Sequence, residues 1–182
     1  MKKKVAINGF GRIGRLVYRA FLERLNEFSN QYEISYINDL ADIDSNIHLL
    51  KYDSIHGSLK KEINKISNEQ FSIGENTVTV TSERNPIDLK WKDKKVDIIL
   101  ECTGVFASKE KAMSHIESGA SKVIVSAPCS GADITVVQGV NNENINIDHQ
   151  IISNASCTTN CLAPVAFVID QEFGIENGYM TT

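Results

Sequence analysis

The chain has 182 residues, 42% of them hydrophobic and 23% charged, and carries a formal net charge of -4 at pH 7. Those proportions exclude a disordered, collagen-like or coiled-coil chain and set the expectation of one main core with the beginning of a second. The acidic balance gives no overall attraction to nucleic acid phosphates or to anionic lipid, so neither is expected as a partner.

Lys2, Lys3 and Lys4 look like the basic start of a secretory signal, but Val5 to Asn8 is short and strand-like and runs directly into glycines. No apolar run approaches the roughly 20 residues a membrane helix needs, so no membrane partner and a cytoplasmic location are expected. The four cysteines, Cys102, Cys129, Cys157 and Cys161, form no C-x-x-C pair. In a reducing compartment they are expected as free thiols.

A strand is expected from Lys4 to Asn8, then the turn Gly9-Phe10-Gly11-Arg12-Ile13-Gly14, then a helix on which Ile13, Leu16, Val17, Ala20, Phe21 and Leu25 recur at helical spacing. Tyr32, Ile34 and Tyr36 alternate as a second strand that ends in Asn38 and Asp39. Ser45 to Leu50 reads as a short helix, and FSIGENTVTV as a hairpin turning at Gly74-Glu75-Asn76. From Val96 the alternation resumes: VDIILECTG as a buried strand, Ser108 to Ser118 as a polar helix, KVIVSAP as a strand. Further strands are expected at Thr135 to Gly139 and Gln150 to Ser153, a helix from about Ser156 to Phe173, and a strand opening at GYMTT. This alternation implies an α/β, doubly wound, mostly parallel sheet with an inserted hairpin, whose ligands bind beyond the carboxyl ends of the strands.

The turn at Gly9, Gly11 and Gly14 matches G-x-G-x-x-G between a strand and an amphipathic helix. The first glycine serves the tight turn, the second lets backbone approach a pyrophosphate, and the third lets helix and strand pack closely. Asp39, at the tip of the second strand, is placed to accept from both hydroxyls of an adenosine ribose and to repel a 2′-phosphate, which favours NAD over NADP. The alternative is a glycine turn needed only for packing.

No His or Cys lies near Cys157 and Cys161 at metal-ligand spacing, so no metal is expected there. At a helix start the sulfur of Cys157 meets free N–H groups that favour a thiolate, whereas Cys161, one turn further in, is expected to be a packing residue, as are Cys102 and Cys129. A thiolate beside a nicotinamide points to one chemistry. An aldehyde carbon can release a hydride only after a nucleophile adds, and the thiol adduct, once oxidised, is a thioester. That adduct needs a base, and His48, His56, His115 and His149 are the only histidines, each expected at the surface.

AINGFGRIGR, INDL, HLLKYDSIHG, ECTGVF, VIVSAP, GVN and above all SNASCTTNCLAP extend from end to end of the chain. Together they resemble the phosphorylating glyceraldehyde-3-phosphate dehydrogenases. The resemblance implies a Rossmann-type NAD-binding domain over residues 1–153 and the start of a catalytic domain over 154–182. It implies Cys157 as the nucleophile, Ser156 and Thr158 as holding substrate or inorganic phosphate, and Gly9, Gly11, Arg12, Ile13 and Gly14 at the pyrophosphate turn. Asp39 would hold the ribose, with Arg84, Thr103, Gly104 and Ser126 lining the adenine and ribose side. The implied reaction converts D-glyceraldehyde 3-phosphate, NAD and phosphate to 1,3-bisphosphoglycerate, in glycolysis, by a homotetramer.

In that family the histidine base follows a strand like GYMTT. The match is to about the N-terminal half of such an enzyme, so the chain is expected to be truncated before the base, to bind NAD weakly and to turn over no aldehyde. Erythrose-4-phosphate dehydrogenase and a non-catalytic NAD-binding module are the alternatives.

Overall fold

The structure, a computed structural model, describes residues 2–182. Its frame is built from β1 (Lys3–Asn8), α1 (Arg12–Glu23), a short α2 (Leu25–Phe28) and β2 (Tyr32–Asn38), followed by α3 (Ile43–Lys51). Two short antiparallel strands, β3 (Tyr52–Asp53) and β4 (Gly57–Ser58), form a separate ribbon. The chain then adds β5 (Asn64–Lys65) and the expected hairpin of β6 (Gln70–Ile73) and β7 (Asn76–Thr81). A 3-10 turn at Pro86–Leu89 and α4 (Trp91–Lys94) lead to β8 (Ile98–Glu101), α5 (Lys109–Glu117) and β9 (Lys122–Val125). The last elements are β10 (Ile134–Thr135), β11 (Ile151–Ser153) and α6 (Cys157–Phe173).

The main sheet has nine strands in the order β10-β11-β9-β8-β1-β2-β7-β6-β5. Every pair from β10 to β7 is parallel, and β7-β6 and β6-β5 are antiparallel. The hairpin therefore does more than decorate the fold, because β7 joins β2 in parallel and extends the sheet on that side. From β1 the chain winds outwards in one direction through β2 and in the other through β8, β9 and β11, so strand order reverses between β1 and β8.

Period-two alternation along β1 explains the two cores. Val5 and Ile7 face one cluster with Tyr18, Leu22, Ile34, Ile37 and Phe71, while Ala6 faces the other with Trp91, Ile99, Val123 and Ile151. Helices α3, α5 and α6 each begin with a side-chain cap, from Asp42, Ser108 and Ser156. No helix of the described residues is long and apolar enough to cross a membrane.

Two expected strands differ. The run from Thr135 to Gly139 is a strand only as far as Thr135, because the amide side chain of Asn141 takes over: it accepts from Val137 N–H at 2.8 Å and donates to Thr135 C=O at 3.0 Å. GYMTT has no strand partner, and Gly178 to Thr182 are irregular. The strand-like alternation there has no neighbouring edge to pair with.

Candidate functional site

At the β1/β8 reversal lies a cleft of about 390 Å³, lined by Asn8, Gly9, Gly11, Asp39, Arg84 and Thr103, with Asn38, Leu40, Glu83, Cys102, Val105 and Phe106 completing its walls. The glycine turn forms one rim. Gly9 sits at φ 89°, and a Cβ there would lie 2.7 Å from the amide nitrogen of Thr103. Gly14 packs so closely that a Cβ would lie 2.2 Å from the carbonyl oxygen of Gly9.

Gly11 differs from both, because nothing lies within 4 Å of the position its Cβ would take. It is also the N-cap of α1, and it supplies no side-chain cap, unlike the residues that begin α3, α5 and α6. The first-turn N–H groups of a helix have no partner within it, and here they open onto space bordered by bare glycine backbone. That geometry fits the diphosphate bridge of a dinucleotide.

Asp39 is half-buried in the same cleft. Its Oδ2 accepts the Phe10 N–H at 2.6 Å, and its Oδ1 accepts the Ala41 N–H at 2.9 Å, so the carboxylate is tied directly to the glycine turn. A carboxylate offers about four acceptor positions, which leaves one on each oxygen for ribose hydroxyls. Arg84 is exposed on the same cleft, and Gly104, at φ 75°, turns the chain away after Thr103.

Ser126 stands one strand further on, its N–H donating to the Glu101 carbonyl at 3.0 Å. Ile13 is exposed in the first turn of α1. Arg12 is exposed too, but it pairs with Asp53 of the small ribbon at 3.2 Å, so its guanidinium points away from the cleft lining. The Asp53 carboxyl is held far below its usual range, first by the N–H of His56 and of Ile55 and then by Arg12.

Beneath the cleft is a buried polar cluster that sequence reasoning missed. Asn38, Asn8 and Glu101 end three adjacent parallel strands and are register partners, so their side chains share one face of the sheet. All three are at most 5% exposed. Asn38 donates to Asn8 Oδ1 at 2.7 Å, and Asn8 donates to Glu101 Oε2 at 2.6 Å. His115, expected at the surface, is 0% exposed and lies 2.9 Å from the same oxygen through Nε2. The available signal was a polar residue closing each of three strands directly after apolar residues: Asn8 after Val5 to Ile7, Asn38 after Ile37 and Glu101 after Ile98 to Leu100.

Cys157 is the first residue of α6 and is exposed. Ser156 caps the helix by accepting the Thr159 N–H at 3.0 Å, and Asn160 reaches back to the carbonyls of Asn154 and Ser156 at 2.7 and 3.0 Å. Ala155 holds a left-handed φ of 57°, a conformation that costs a non-glycine residue about 1 kcal/mol or more. Ser156 and Thr158, the chain neighbours of the exposed thiol, are half-buried.

Cys161 is exposed instead of packed. So are Leu162, Val165, Phe167 and Val168 on the same helix. Cys129 is buried and Cys102 half-buried against the core, and burial pushes the Cys102 thiol up to about 11 and raises that of Cys129.

The four histidines all have partners away from Cys157. His48 packs at a tilt against Tyr52, His56 binds Asp53, His115 sits with Glu101 and Trp91, and His149 bonds Asn146.

Comparison with known proteins identifies the type of cleft. Residues 3–109 match the family model described as glyceraldehyde 3-phosphate dehydrogenase, NAD binding domain, and residues 156–182 match the C-terminal domain of the same family. Over its whole length the chain is 50% identical to a glyceraldehyde-3-phosphate dehydrogenase of Xanthobacter flavus and 49% identical to one of Pseudomonas aeruginosa, covering 53% and 54% of those proteins. It is 48% identical to glyceraldehyde-3-phosphate dehydrogenase 2 of Bacillus subtilis, of which it covers 52%. The chain thus spans about half the length of the curated relatives it matches.

Proposed function

Because the chain belongs to the glyceraldehyde 3-phosphate dehydrogenase family, we propose that its cleft holds NAD and that Cys157 is the nucleophile for oxidative phosphorylation of D-glyceraldehyde 3-phosphate. The observation that carries this reading is the exposed thiol at the capped start of α6, in the same chain as an uncapped α1 terminus faced by open glycine backbone.

Placement in the cleft supports part of this assignment. Gly9 and Gly14 keep the turn tight, while Gly11 and the free backbone N–H groups of α1, those of Arg12 and Ile13 among them, receive the diphosphate. Asp39 takes the ribose hydroxyls with Arg84 and Thr103 beside it in the cleft, and Gly104 and Ser126, which stand outside that lining, are assigned to its adenine and ribose side on the family resemblance.

Bound NAD supplies the acceptor for the two electrons and the hydrogen that leave the substrate carbon. The Cys157 sulfur adds to the aldehyde carbon to give a hemithioacetal, and loss of the hydroxyl proton and of the C–H hydride leaves a thioester on that sulfur. Ser156 and Thr158 orient the substrate or inorganic phosphate, whose oxygen then attacks the thioester carbonyl. The product is 1,3-bisphosphoglycerate, and Cys157 leaves as the thiolate.

The hemithioacetal proton needs a base. Since each histidine here is engaged elsewhere, the base is assigned to the portion of the relatives' length that these 182 residues do not span. On this reading the domain boundary falls near residue 153, between the two family matches and just before α6. The whole protein is a cytoplasmic homotetramer of glycolysis. The chain of 182 residues alone binds NAD without turnover.

The test follows NADH formation from D-glyceraldehyde 3-phosphate, NAD and phosphate. The chain alone should give none, and a fusion to the second half of the Xanthobacter flavus relative should give turnover that Cys157→Ser abolishes. Steady NADH production proportional to the amount of the unfused chain would contradict the assignment of the base. Turnover by the Cys157→Ser fusion would contradict the nucleophile.

A further inference from the structure

The buried cluster under the cleft has a fixed hydrogen-bond logic. The indole N–H of Trp91 lies 3.0 Å from His115 Nδ1. An indole nitrogen only donates, so His115 Nδ1 is the acceptor and its ring proton sits on Nε2. That N–H points to Glu101 Oε2 at 2.9 Å, and the side-chain amide of Asn8 donates to the same oxygen at 2.6 Å. The other oxygen, Oε1, receives the Thr103 N–H at 2.8 Å and the Thr103 hydroxyl. Four donors therefore converge on one carboxylate that is 1% exposed, and they fill its acceptor positions without any lysine or arginine.

Three of those donors belong to two residues that line the cleft, Thr103 and Asn8. Thr103 stands against Gly9, and its hydroxyl oxygen accepts the Val105 N–H at 3.0 Å, which holds the loop after β8. Asn8 passes the constraint through Asn38, which donates to the Glu83 carbonyl and accepts the Glu83 N–H, each at 2.8 Å, next to Arg84. One buried carboxylate thereby holds both walls.

We infer that Glu101 is a positioning residue of the dinucleotide cleft, kept in place by the His115 tautomer that Trp91 imposes, so that Thr103 and Asn8 are set before NAD arrives. The inference rests on the NAD reading given above. Its physical basis is preorganisation: rotamers fixed in advance do not have to be ordered on binding. Glu101→Gln keeps the shape but turns one oxygen into an NH2 that must face either Thr103 or the Asn8 and His115 donors.

The experiment measures NAD affinity calorimetrically, well below the melting temperature, for the wild-type chain, Glu101→Gln, Thr103→Val and the double variant. Glu101→Gln should weaken NAD by about tenfold, and Thr103→Val should cost nothing further in its background, because the two act in series. As a second readout, NAD should shift the indole N–H resonance of Trp91, the single tryptophan, and Glu101→Gln should remove that shift. A purely structural role would lower the melting temperature and leave both readouts intact.

Wild-type affinity in Glu101→Gln overturns the inference. Should that variant not fold, Trp91→Phe decides in its place. Freed from the indole, His115 can change tautomer, so NAD should bind several-fold more weakly, and unchanged affinity there overturns the inference equally. Absence of NAD binding by the wild-type chain overturns the cleft reading and this inference together, whereas binding that ignores both substitutions overturns this inference alone.

Discussion

Gly9 and Thr103 approach so closely that a Cβ on the glycine would lie 2.7 Å from both the threonine amide nitrogen and its Cγ2. The contact joins the carboxyl ends of β1 and β8, the two strands between which the sheet reverses. At φ 89° the backbone of Gly9 is also strained for any side chain, so no rotation of the threonine relieves the clash.

The three glycines of the turn should therefore separate by stability. Gly9→Ala and Gly14→Ala meet backbone atoms and should each cost about 3 kcal/mol, seen as a fall of roughly 6–12 °C in melting temperature. Gly11→Ala enters open space and should stay within about 1 kcal/mol of the wild-type chain. Equal losses at all three positions would contradict the assignment of separate roles.

Asp39 should set the choice between dinucleotides. Asp39→Asn keeps an acceptor for the Phe10 N–H but removes the charge that opposes a 2′-phosphate. The preference for NAD over NADP should fall by about tenfold, measured as a ratio of dissociation constants.

Thiol reactivity should divide the cysteines by position. Cys157 and Cys161 are exposed, whereas Cys102 and Cys129 are covered and their thiols pushed up by burial. Mass-mapped iodoacetamide labelling should find Cys157 first, because it occupies the first turn of α6, then Cys161, with the other two far behind. Uniform labelling would contradict this ordering.

Cys102 should also leave a mark on alkaline stability. Its folded value of about 11 lies above the ordinary 9.0, so the fold favours the neutral thiol. The contribution is fully present below pH 9.0 and is lost as pH rises towards about 11. It is on the order of 2 kcal/mol. Cys102→Ala should flatten the decline in melting temperature across that window, and an unchanged slope would count against the burial account.

Much of this architecture was legible because it is written in short-range periods. The alternation of Val5 to Asn8, the glycines at 9, 11 and 14 and the helical spacing after them identify strand, turn and helix within one window. Ser108 and Ser156 mark two helix starts by chemistry alone. What remained hidden depends on partners distant in sequence. His115 sits in the polar run KEKAMSHIE, and only its approach to Glu101 and Trp91 makes it a core residue. Likewise the capacity of Asn141 to end β10 depends on a loop closing back.

The acidic limit offers a check on how α6 is presented. Asp133 accepts the N–H groups of Gln150 and Ile151, both at 2.8 Å, and binds Lys109, so it fastens the strand that leads to Cys157. The Ile151 N–H is the largest cause that lowers its carboxyl from 3.8 to about 2, followed by Lys109. That stability is present above pH 3.8 and is lost as pH falls through about 2. Asp133→Asn should cost about 1 kcal/mol at neutral pH, read from chemical denaturation, and that deficit should shrink as pH falls through the interval, because only the wild-type chain loses the contribution there.

The most direct measurement is a calorimetric titration of NAD into the 182-residue chain and into its Gly11→Val variant. One NAD should bind per wild-type chain, and the variant, which fills the space at the uncapped start of α1, should lose that binding while still melting cooperatively. No binding by the wild-type chain, or equal binding by a folded Gly11→Val, would contradict the account.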